Sequence, residues 1–289
     1  SILHGCTYSY NIGVFDTLTV KMDGVTLVKD SDYTVDSNNV LTIPNVSGNL
    51  EIIIKEKIIS IRKPKSPISE SYRGIRTSIE FSNLDKEMKV ISVTSAIQSE
   101  GKSTVIANLA VSFANMEDKK ILVVEGDLRN PTVHRLFGVS NTFGVTDILT
   151  GQKKFEDCVN VTDIKGLHVL TCGKIPPNPS EMLASRKMRD FINNIKDNYD
   201  HVFIDAPPIG IITDAGIIST YVDGTILVVS AGEADIEQVK ISKERLDKVN
   251  ANILGVVLNK YEDESGSNAY YNYYYGHDEP VDKRRKKRR

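Results

Sequence analysis

The chain has 289 residues, of which 40% are hydrophobic and 26% charged, and its formal net charge is −2. This composition excludes a mostly disordered or fibrous protein, and the charge argues against a chain that binds nucleic acid over its whole surface. No apolar run approaches the roughly 18 residues that cross a bilayer, and we expect no secretory leader. The three cysteines form no CxxC pair, which favours a reduced, cytoplasmic compartment over a disulfide framework or zinc site.

Residues 1–56 alternate short β-branched segments with turn signals. Thr17 to Met22 alternates in polarity, Asp23-Gly24 predicts a tight turn, and further strands are predicted near residues 25–28, 33–35, 40–43 and 50–54. This spacing is typical of hairpins. We therefore predict a small all-β module over residues 1–56, with a core that is marginal for a separate domain.

A proline-rich segment follows the module and separates it from a predicted helix. Residues 57–68 contain Lys63-Pro64-Lys65-Ser66-Pro67, which cannot continue a helix or a central strand, so we interpret them as a linker. Ser69 is the expected N-cap of a helix over Glu70 to Phe81.

From Lys89 onward, short continuous apolar runs alternate with helical patterns. Runs near residues 90–94, 121–124, 202–204, 225–229 and 253–258 predict strands, and helices are expected near 102–116, 180–196 and 235–249. Buried strands separated by helices indicate a mostly parallel sheet with helices on both faces. The predicted fold class is therefore α/β of the P-loop NTPase type, with the small N-terminal all-β module in addition.

Residues 96–103 read AIQSEGKS between a predicted strand and a predicted helix. They fit the phosphate-loop pattern except that alanine replaces its first glycine. Backbone N–H groups of such a loop and of the helix N-terminus bind phosphate, so we expect Ser99, Glu100, Gly101, Lys102, Ser103 and Thr104 to contact a nucleotide. Lys102 would reach the β- and γ-phosphates, and the Ser103 hydroxyl would bind Mg²⁺.

Acidic residues follow two further predicted strands. Glu125 and Asp127 come after residues 121–124, and Asp205 comes after residues 202–204, where Pro207 and Pro208 end the strand. Ligands bind at the carboxyl ends of strands in open α/β sheets. Any one of these acids alone would more simply be a solvated strand end, but together with the phosphate loop they predict a site for a magnesium-bound nucleotide.

The last part of the chain changes composition again. Residues 261–275 hold six of the twelve tyrosines, and residues 283–289 are all basic. We interpret residues 264–289 as a mobile tail. The basic end has three readings: attraction to anionic lipid, contact with nucleic acid, or a solvated end without a partner.

With these motifs in order, residues 69–275 resemble a bacterial tyrosine kinase (BY-kinase) of capsule or exopolysaccharide assembly. Residues 96–103 resemble its Walker A motif, 121–129 its Walker A′ motif and 202–208 its Walker B motif. Gly173 to Leu183 is similar to a further family segment. Glu70, Arg73 and Arg76 match the family's E-x2-R-x2-R oligomerisation motif, although i,i+3 charge pairing on a helix surface would explain them too. Residues 1–56 lie outside the resemblance.

The resemblance implies transfer of the γ-phosphoryl group of ATP to tyrosine, with Lys102, Glu125, Asp127 and Asp205 as catalytic residues. Ser103, Asp127 and Asp205 would hold Mg²⁺. Asn259 would contact adenine, with a plain strand-end turn as the alternative. The acceptors would be the clustered tyrosines Tyr270, Tyr271, Tyr273, Tyr274 and Tyr275.

One residue departs from the family pattern. The Walker A′ motif normally begins with aspartate, thought to be the catalytic base, and this chain has Glu125. A carboxylate displaced by about 1 Å can lose on the order of 100-fold in rate. Glu125 would accept the tyrosine proton or fix the position of the hydroxyl, and we expect Glu125→Asp to raise phosphorylation if this position limits the chemistry.

The implied partners are other copies of the chain in a ring, a membrane activator protein, and polysaccharide-biosynthesis enzymes as substrates; nucleic acid is not expected. Residues 57–68 have a second interpretation besides a linker: they resemble in position the cytoplasmic segment of the family's membrane activator, which is sometimes fused ahead of the kinase. The implied location is cytoplasmic, peripheral at the inner face of the cell membrane.

Two other functions compete with the kinase. A partitioning or septum-positioning ATPase uses the same scaffold, but its signature lysine would stand at position 97, where this chain has Ile97. A weakly catalytic, nucleotide-bound scaffold is compatible with Glu125.

Overall fold

The computed structural model describes residues 6–11, 17–35, 40–46, 50–55, 58–82 and 88–261. Two groups of elements follow one another in the chain: short antiparallel strands up to residue 55, and an α/β arrangement from residue 58 onward. Within the described residues, no helix is both long and apolar enough to span a bilayer.

The N-terminal residues form two three-stranded antiparallel sheets, in agreement with the predicted all-β module. One has the order β1-β5-β4 and the other β3-β2-β6. The Asp23-Gly24 turn joins β2 to β3 with φ values of 50° and 83°, the backbone that a two-residue hairpin turn requires. The strands are β1 (Cys6–Asn11), β2 (Thr17–Met22), β3 (Val25–Thr26), β4 (Thr34–Val35), β5 (Val40–Val46) and β6 (Leu50–Lys55).

Strand β1 is absent from the sequence prediction. It pairs with β5, more than twenty residues later in the chain, and its register shifts between Cys6 and Tyr8. The bulge interrupts the regular alternation by which a strand is recognised.

The predicted start of the long N-terminal helix is wrong. Helix α2 runs from Pro67 to Phe81, and its N-cap is Ser66, whose hydroxyl accepts the Ser69 N–H at 3.2 Å. Proline is well tolerated in the first helical turn because its nitrogen needs no hydrogen-bond partner there. Ser69 is buried instead, and its hydroxyl donates to the Lys63 carbonyl at 2.7 Å.

The residues predicted as a linker contact the α/β core. A short helix, α1 (Ile59–Arg62), precedes α2, and the Ser60 N–H donates to Asn108 Oδ1 at 3.0 Å. Ile58 is 9% exposed and packs in the core. Helix α1 is thus held against helix α3 (Lys102–Ala114).

A seven-stranded sheet forms the centre of the α/β part, with the order β13-β12-β7-β11-β8-β10-β9. Its neighbouring strands are parallel except for the pair β9–β10 at one edge. The strands are β7 (Val90–Ser95), β8 (Ile121–Glu125), β9 (Val159–Val161), β10 (Leu167–Leu170), β11 (His201–Asp205), β12 (Gly224–Ser230) and β13 (Ile253–Asn259).

Helices cover both faces of this sheet, which confirms the predicted fold class. Alternate residues of β8 divide between two apolar clusters: Ile121 and Val123 pack on one side, Leu122 and Val124 on the other. The helices are α3 (Lys102–Ala114), α4 (Val133–Phe137), α5 (Val145–Leu149), α6 (Phe155–Cys158), α7 (Pro179–Ala184), α8 (Arg186–Ile195), α9 (Asp214–Ser219) and α10 (Ile236–Lys248), with a 3₁₀ turn at Lys196–Asn198.

Strand order places the three predicted motifs side by side. Strands β7, β11 and β8 are neighbours, and Asp205 pairs in register with Glu125. Their carboxyl ends therefore share one edge of the sheet.

Candidate functional site

The loop between β7 and α3 has the compact shape expected of a phosphate loop. Ser99 and Gly101 have positive φ values of 64° and 87°, and Gly101 precedes the first residue of α3 without a side chain to cap the helix. A Cβ at position 101 would collide with the side chain of Asn259. The positive φ and this close approach both require glycine here.

Glu100 braces the loop rather than facing the site. Its fully buried carboxylate accepts the Ile97 N–H at 2.8 Å through Oε2 and the Ser230 N–H at 2.9 Å through Oε1. Asn259 Nδ2 donates to the Glu100 carbonyl at 2.8 Å. Asn259 thus holds the loop, and its predicted contact with adenine stays a prediction.

The side chains of Lys102, Asp127 and Asp205 converge. The Lys102 ammonium lies 3.2 Å from Asp127 Oδ2 and 3.3 Å from Asp205 Oδ1, and its side chain is 12% exposed. Burial by itself would lower the pKa of Lys102, but Asp205, Asp127 and Glu125 outweigh it and raise this pKa. Lys102 therefore remains charged.

Ser103 occupies the centre of a hydroxyl and carboxylate cluster. Its hydroxyl donates to Asp205 Oδ2 at 2.5 Å and accepts from Thr132 Oγ1 at 2.9 Å. Asp205 is fully buried, and burial is the main reason that its pKa is raised despite the neighbouring Lys102. Thr104 lies one residue further along α3, where its carbonyl accepts from Asn108.

Glu125 is fully buried and its carboxylate is occupied by backbone donors. Oε2 accepts the N–H groups of Thr132 at 2.7 Å and Val133 at 2.8 Å, and Oε1 accepts the Asp127 N–H at 3.3 Å. Burial and the nearby Asp205 raise the pKa of Glu125 well above its usual range. The carboxylate thus fastens residues 126–133 to the end of β8.

A second anchor ties the same loop to α7 and α9. Arg129 Nε donates to Asp214 Oδ2 at 2.8 Å, Arg129 Nη2 to Ser180 Oγ at 2.8 Å, and Ser180 Oγ to Asp214 Oδ1 at 2.6 Å. Ser180 lies within the segment 173–183 that the sequence singled out. The network joins residues up to 85 positions apart, so spacing in the sequence offers no signal for it.

The three residues of the predicted oligomerisation motif differ in their surroundings. Arg73 pairs with Glu70, with Nε 2.7 Å from Oε2, and Arg73 Nη2 donates to the Pro64 carbonyl at 2.8 Å. Arg76 turns inward, and its Nη1 donates to the Ser112 carbonyl of α3 at 2.5 Å. The predicted acceptors Tyr270, Tyr271, Tyr273, Tyr274 and Tyr275 lie outside the described residues.

The donor set suits a magnesium-bound nucleotide. Mg²⁺ is usually held by one or two carboxylates together with waters and substrate phosphates, and Ser103, Asp127 and Asp205 offer a hydroxyl and two carboxylates. Within the described ranges, no group of three or more His, Cys, Asp or Glu side chains forms a metal cage of its own. Burial raises the pKa of Asp205, and a bound divalent cation would favour its charged form.

Comparisons with known proteins agree with this geometry. The AAA domain family matches residues 88–253, more than half of the chain. Tyrosine-protein kinase YwqD of Bacillus subtilis is 43% identical over 206 residues, which are 71% of this chain and 86% of YwqD. The chain belongs to the bacterial tyrosine kinases. The kinase domain of the Escherichia coli tyrosine kinase ETK superposes on this member of the family with a TM-score of 0.67 at 31% identity, covering 71% of this chain and 82% of that domain.

The scaffold of this bacterial tyrosine kinase is shared with septum-positioning ATPases. The septum site-determining protein MinD of Pyrococcus horikoshii, solved as a complex with Mg-ADP, has a TM-score of 0.52 at 29% identity and covers 60% of this chain and 70% of MinD. The predicted P-loop fold is thereby confirmed. The family match favours the kinase over that rival.

Proposed function

We propose that this bacterial tyrosine kinase binds Mg-ATP at the loop before α3 and transfers the γ-phosphoryl group to tyrosines of the C-terminal cluster of a neighbouring copy. One observation carries the proposal: the Lys102 ammonium lies between Asp127 and Asp205 at the N-terminus of α3, 3.2 and 3.3 Å from their oxygens. A buried ammonium, two carboxylates and a helix N-terminus are the groups that phosphoryl transfer requires.

Each residue has a defined part. Ser99 to Thr104 supply backbone N–H groups and the positive end of α3 to the phosphates. Lys102 offsets charge on the transferring group, and Ser103, Asp127 and Asp205 hold Mg²⁺. Bound Mg²⁺ supplies further stabilisation of phosphate charge.

We assign Glu125 to positioning. Its oxygens already accept three backbone N–H groups, which keep the loop carrying Asp127 in place. Phosphoryl transfer depends mainly on positioning and charge stabilisation, so an anchoring carboxylate is compatible with the reaction. Uptake of the tyrosine proton by Glu125 is the competing role.

The proposed assembly draws on exposed and charged parts of the chain. We propose that Glu70 and Arg73, with Arg76 of the same helix α2 hydrogen-bonded to Ser112 of α3, contribute to a homo-oligomeric ring. From Tyr261 to Arg289 there are six acids and seven bases, a net of +1, and each phosphotyrosine would add about −1.5 to −2. Such a charge reversal would separate copies. A membrane activator at the inner face of the cell membrane and polysaccharide-biosynthesis enzymes as substrates complete the proposal.

Radiolabelled ATP with the purified full chain tests the activity. We expect phosphotyrosine with the wild type and with Lys165→Met, a control lysine whose side chain is 93% exposed. Lys102→Met should lower the rate at least about 100-fold because phosphate charge is no longer offset. Free phosphate without phosphotyrosine would instead identify an ATPase, and neither product would identify a scaffold.

A further inference from the structure

Thr132 makes a contact in the site that no motif accounts for. It lies between the Walker A′ residues and α4, and its hydroxyl donates to Ser103 Oγ at 2.9 Å, across 29 positions of the chain. Thr132 is partly buried, and its hydroxyl contacts Ser103, one of the residues proposed to hold the cation.

The hydrogen-bond directions determine how Ser103 is oriented. A serine hydroxyl has one proton and two acceptor lone pairs. The proton of Ser103 points to Asp205 Oδ2 at 2.5 Å, so the Thr132 hydroxyl donates to one lone pair of Ser103, and the Lys102 ammonium lies 3.4 Å from the same oxygen on its remaining lone pair. With both neighbours in place, the rotation of the Ser103 hydroxyl is fixed.

The position of Thr132 is itself fixed by Glu125. The Thr132 and Val133 N–H groups both donate to Glu125 Oε2, at 2.7 and 2.8 Å. Glu125 thus holds the Thr132 backbone, and the Thr132 hydroxyl contacts Ser103, which donates to Asp205, so that these residues connect the end of β8 to the end of β11.

The contact between the two hydroxyls has an ordinary hydrogen-bond length. Ser103 Oγ and Thr132 Oγ1 are 2.9 Å apart. We propose that Thr132 is a positioning residue of the cation site: its hydroxyl holds the Ser103 side chain so that the remaining lone pair, which Lys102 contacts only at 3.4 Å, is left for Mg²⁺. This inference rests on the proposed function.

The test is a titration of Mg²⁺ in the presence of a fluorescent ADP analogue, which reports binding without turnover. Thr132→Val keeps the shape of the side chain and removes its hydroxyl. We expect this variant to need about 3–10-fold more Mg²⁺ for half-saturation, the factor that corresponds to the loss of one hydrogen bond. Thr132→Ser should restore the wild-type midpoint to within about twofold. Affinity for the analogue without Mg²⁺ should not change.

Thr142→Val is the matched control, since Thr142 is exposed and its hydroxyl pairs with Ser140. In steady-state assays, Thr132→Val should lower kcat at limiting Mg²⁺ and recover it in excess Mg²⁺, with the KM for ATP little changed.

Thermal unfolding of each variant measures folding, and Thr132→Ala serves if the valine variant is unstable. The inference is overturned if Thr132→Val leaves the Mg²⁺ midpoint unchanged, or if it weakens binding of the analogue equally with and without Mg²⁺. Failure of the wild type to bind the analogue would instead contradict the proposed function.

Discussion

The Lys102 ammonium is surrounded by three buried carboxylates: Glu125, Asp127 and Asp205. Their roles differ because their hydrogen-bond partners differ. Asp127 and Asp205 face Lys102, whereas Glu125 faces backbone N–H groups. An acid in a catalytic motif can thus act on the shape of the site instead of on a proton.

Substitutions of Glu125 distinguish anchoring from proton transfer. We expect Glu125→Gln to keep at least about a third of kcat, because its amide oxygen still accepts the Thr132 and Val133 N–H groups, whereas a general base would lose roughly 100-fold or more. Glu125→Ala should lose both activity and stability, the latter by about 1–3 kcal/mol, since buried donors are left unpaired. Phosphotyrosine formation and urea unfolding are the measurements.

Glu125→Asp also distinguishes the anchoring role from proton transfer, because the two roles predict opposite changes in rate. The shorter side chain withdraws its carboxylate from the Thr132 and Val133 N–H groups, so the anchoring role predicts a fall in rate. A sharp rise, as expected if the longer glutamate limits a proton transfer, would rule out the anchoring role.

At the scale of elements, the start of α2 shows how local chemistry sets a boundary. Pro67 occupies the first turn and Ser66 caps the helix. The preceding residues are held by α3 through Asn108 and by the core through Ile58. Pro67 therefore begins a helix here, whereas from the sequence alone a proline is interpreted as the end of a helix.

The cap leads to a prediction about stability. Ser66→Ala should lower the free energy of unfolding by about 1 kcal/mol, because the Ser69 N–H loses its acceptor. Ser78→Ala is the control. Ser78 lies on the exposed face of the same helix, where its hydroxyl donates to the Gly74 carbonyl. This substitution should change the free energy of unfolding by no more than about 0.5 kcal/mol. Equal effects in urea unfolding would show that Ser66 contributes nothing specific as a cap.

At the scale of the whole molecule, the site and the predicted acceptors belong to different parts of the chain. The groups of the candidate site lie at one edge of the seven-stranded sheet, and β13, which ends at Asn259, precedes the tyrosine cluster. The proposed transfer between copies would make the reaction depend on assembly. Glu70 and Arg73 remain partly exposed on α2 and are placed to contribute to such a contact.

Mixing two defective chains tests transfer between copies. Lys102→Met carries the tyrosines without the essential lysine, and a chain truncated after Tyr261 carries the site without the cluster. We expect neither alone to form phosphotyrosine, and the mixture to label Lys102→Met at a rate that rises with concentration. If Lys102→Met stays unlabelled in the mixture while the wild type labels itself, transfer between copies is contradicted.

Much of the α/β fold could be predicted because its signals are local. Buried parallel strands are continuous apolar runs, and the phosphate loop is contiguous, so β7, the loop and α3 follow from about 25 residues. Strands β9 and β10 were missed because they are short, and β10 is interrupted by His168. Short helices such as α4 and α9 carry too few residues for a period to be recognised.

The amino-acid sequence alone determined the fold class, the phosphate loop and the set of acids at the strand ends, because each depends on neighbours in the chain or on the rule that parallel strands end at one edge. The tertiary structure decided what each side chain does there. Glu125 became an anchor, Glu100 a brace and Thr132 a partner of Ser103 through contacts between distant segments. Such contacts depend on strand order and loop path, which bring together groups whose separation along the chain carries no signal.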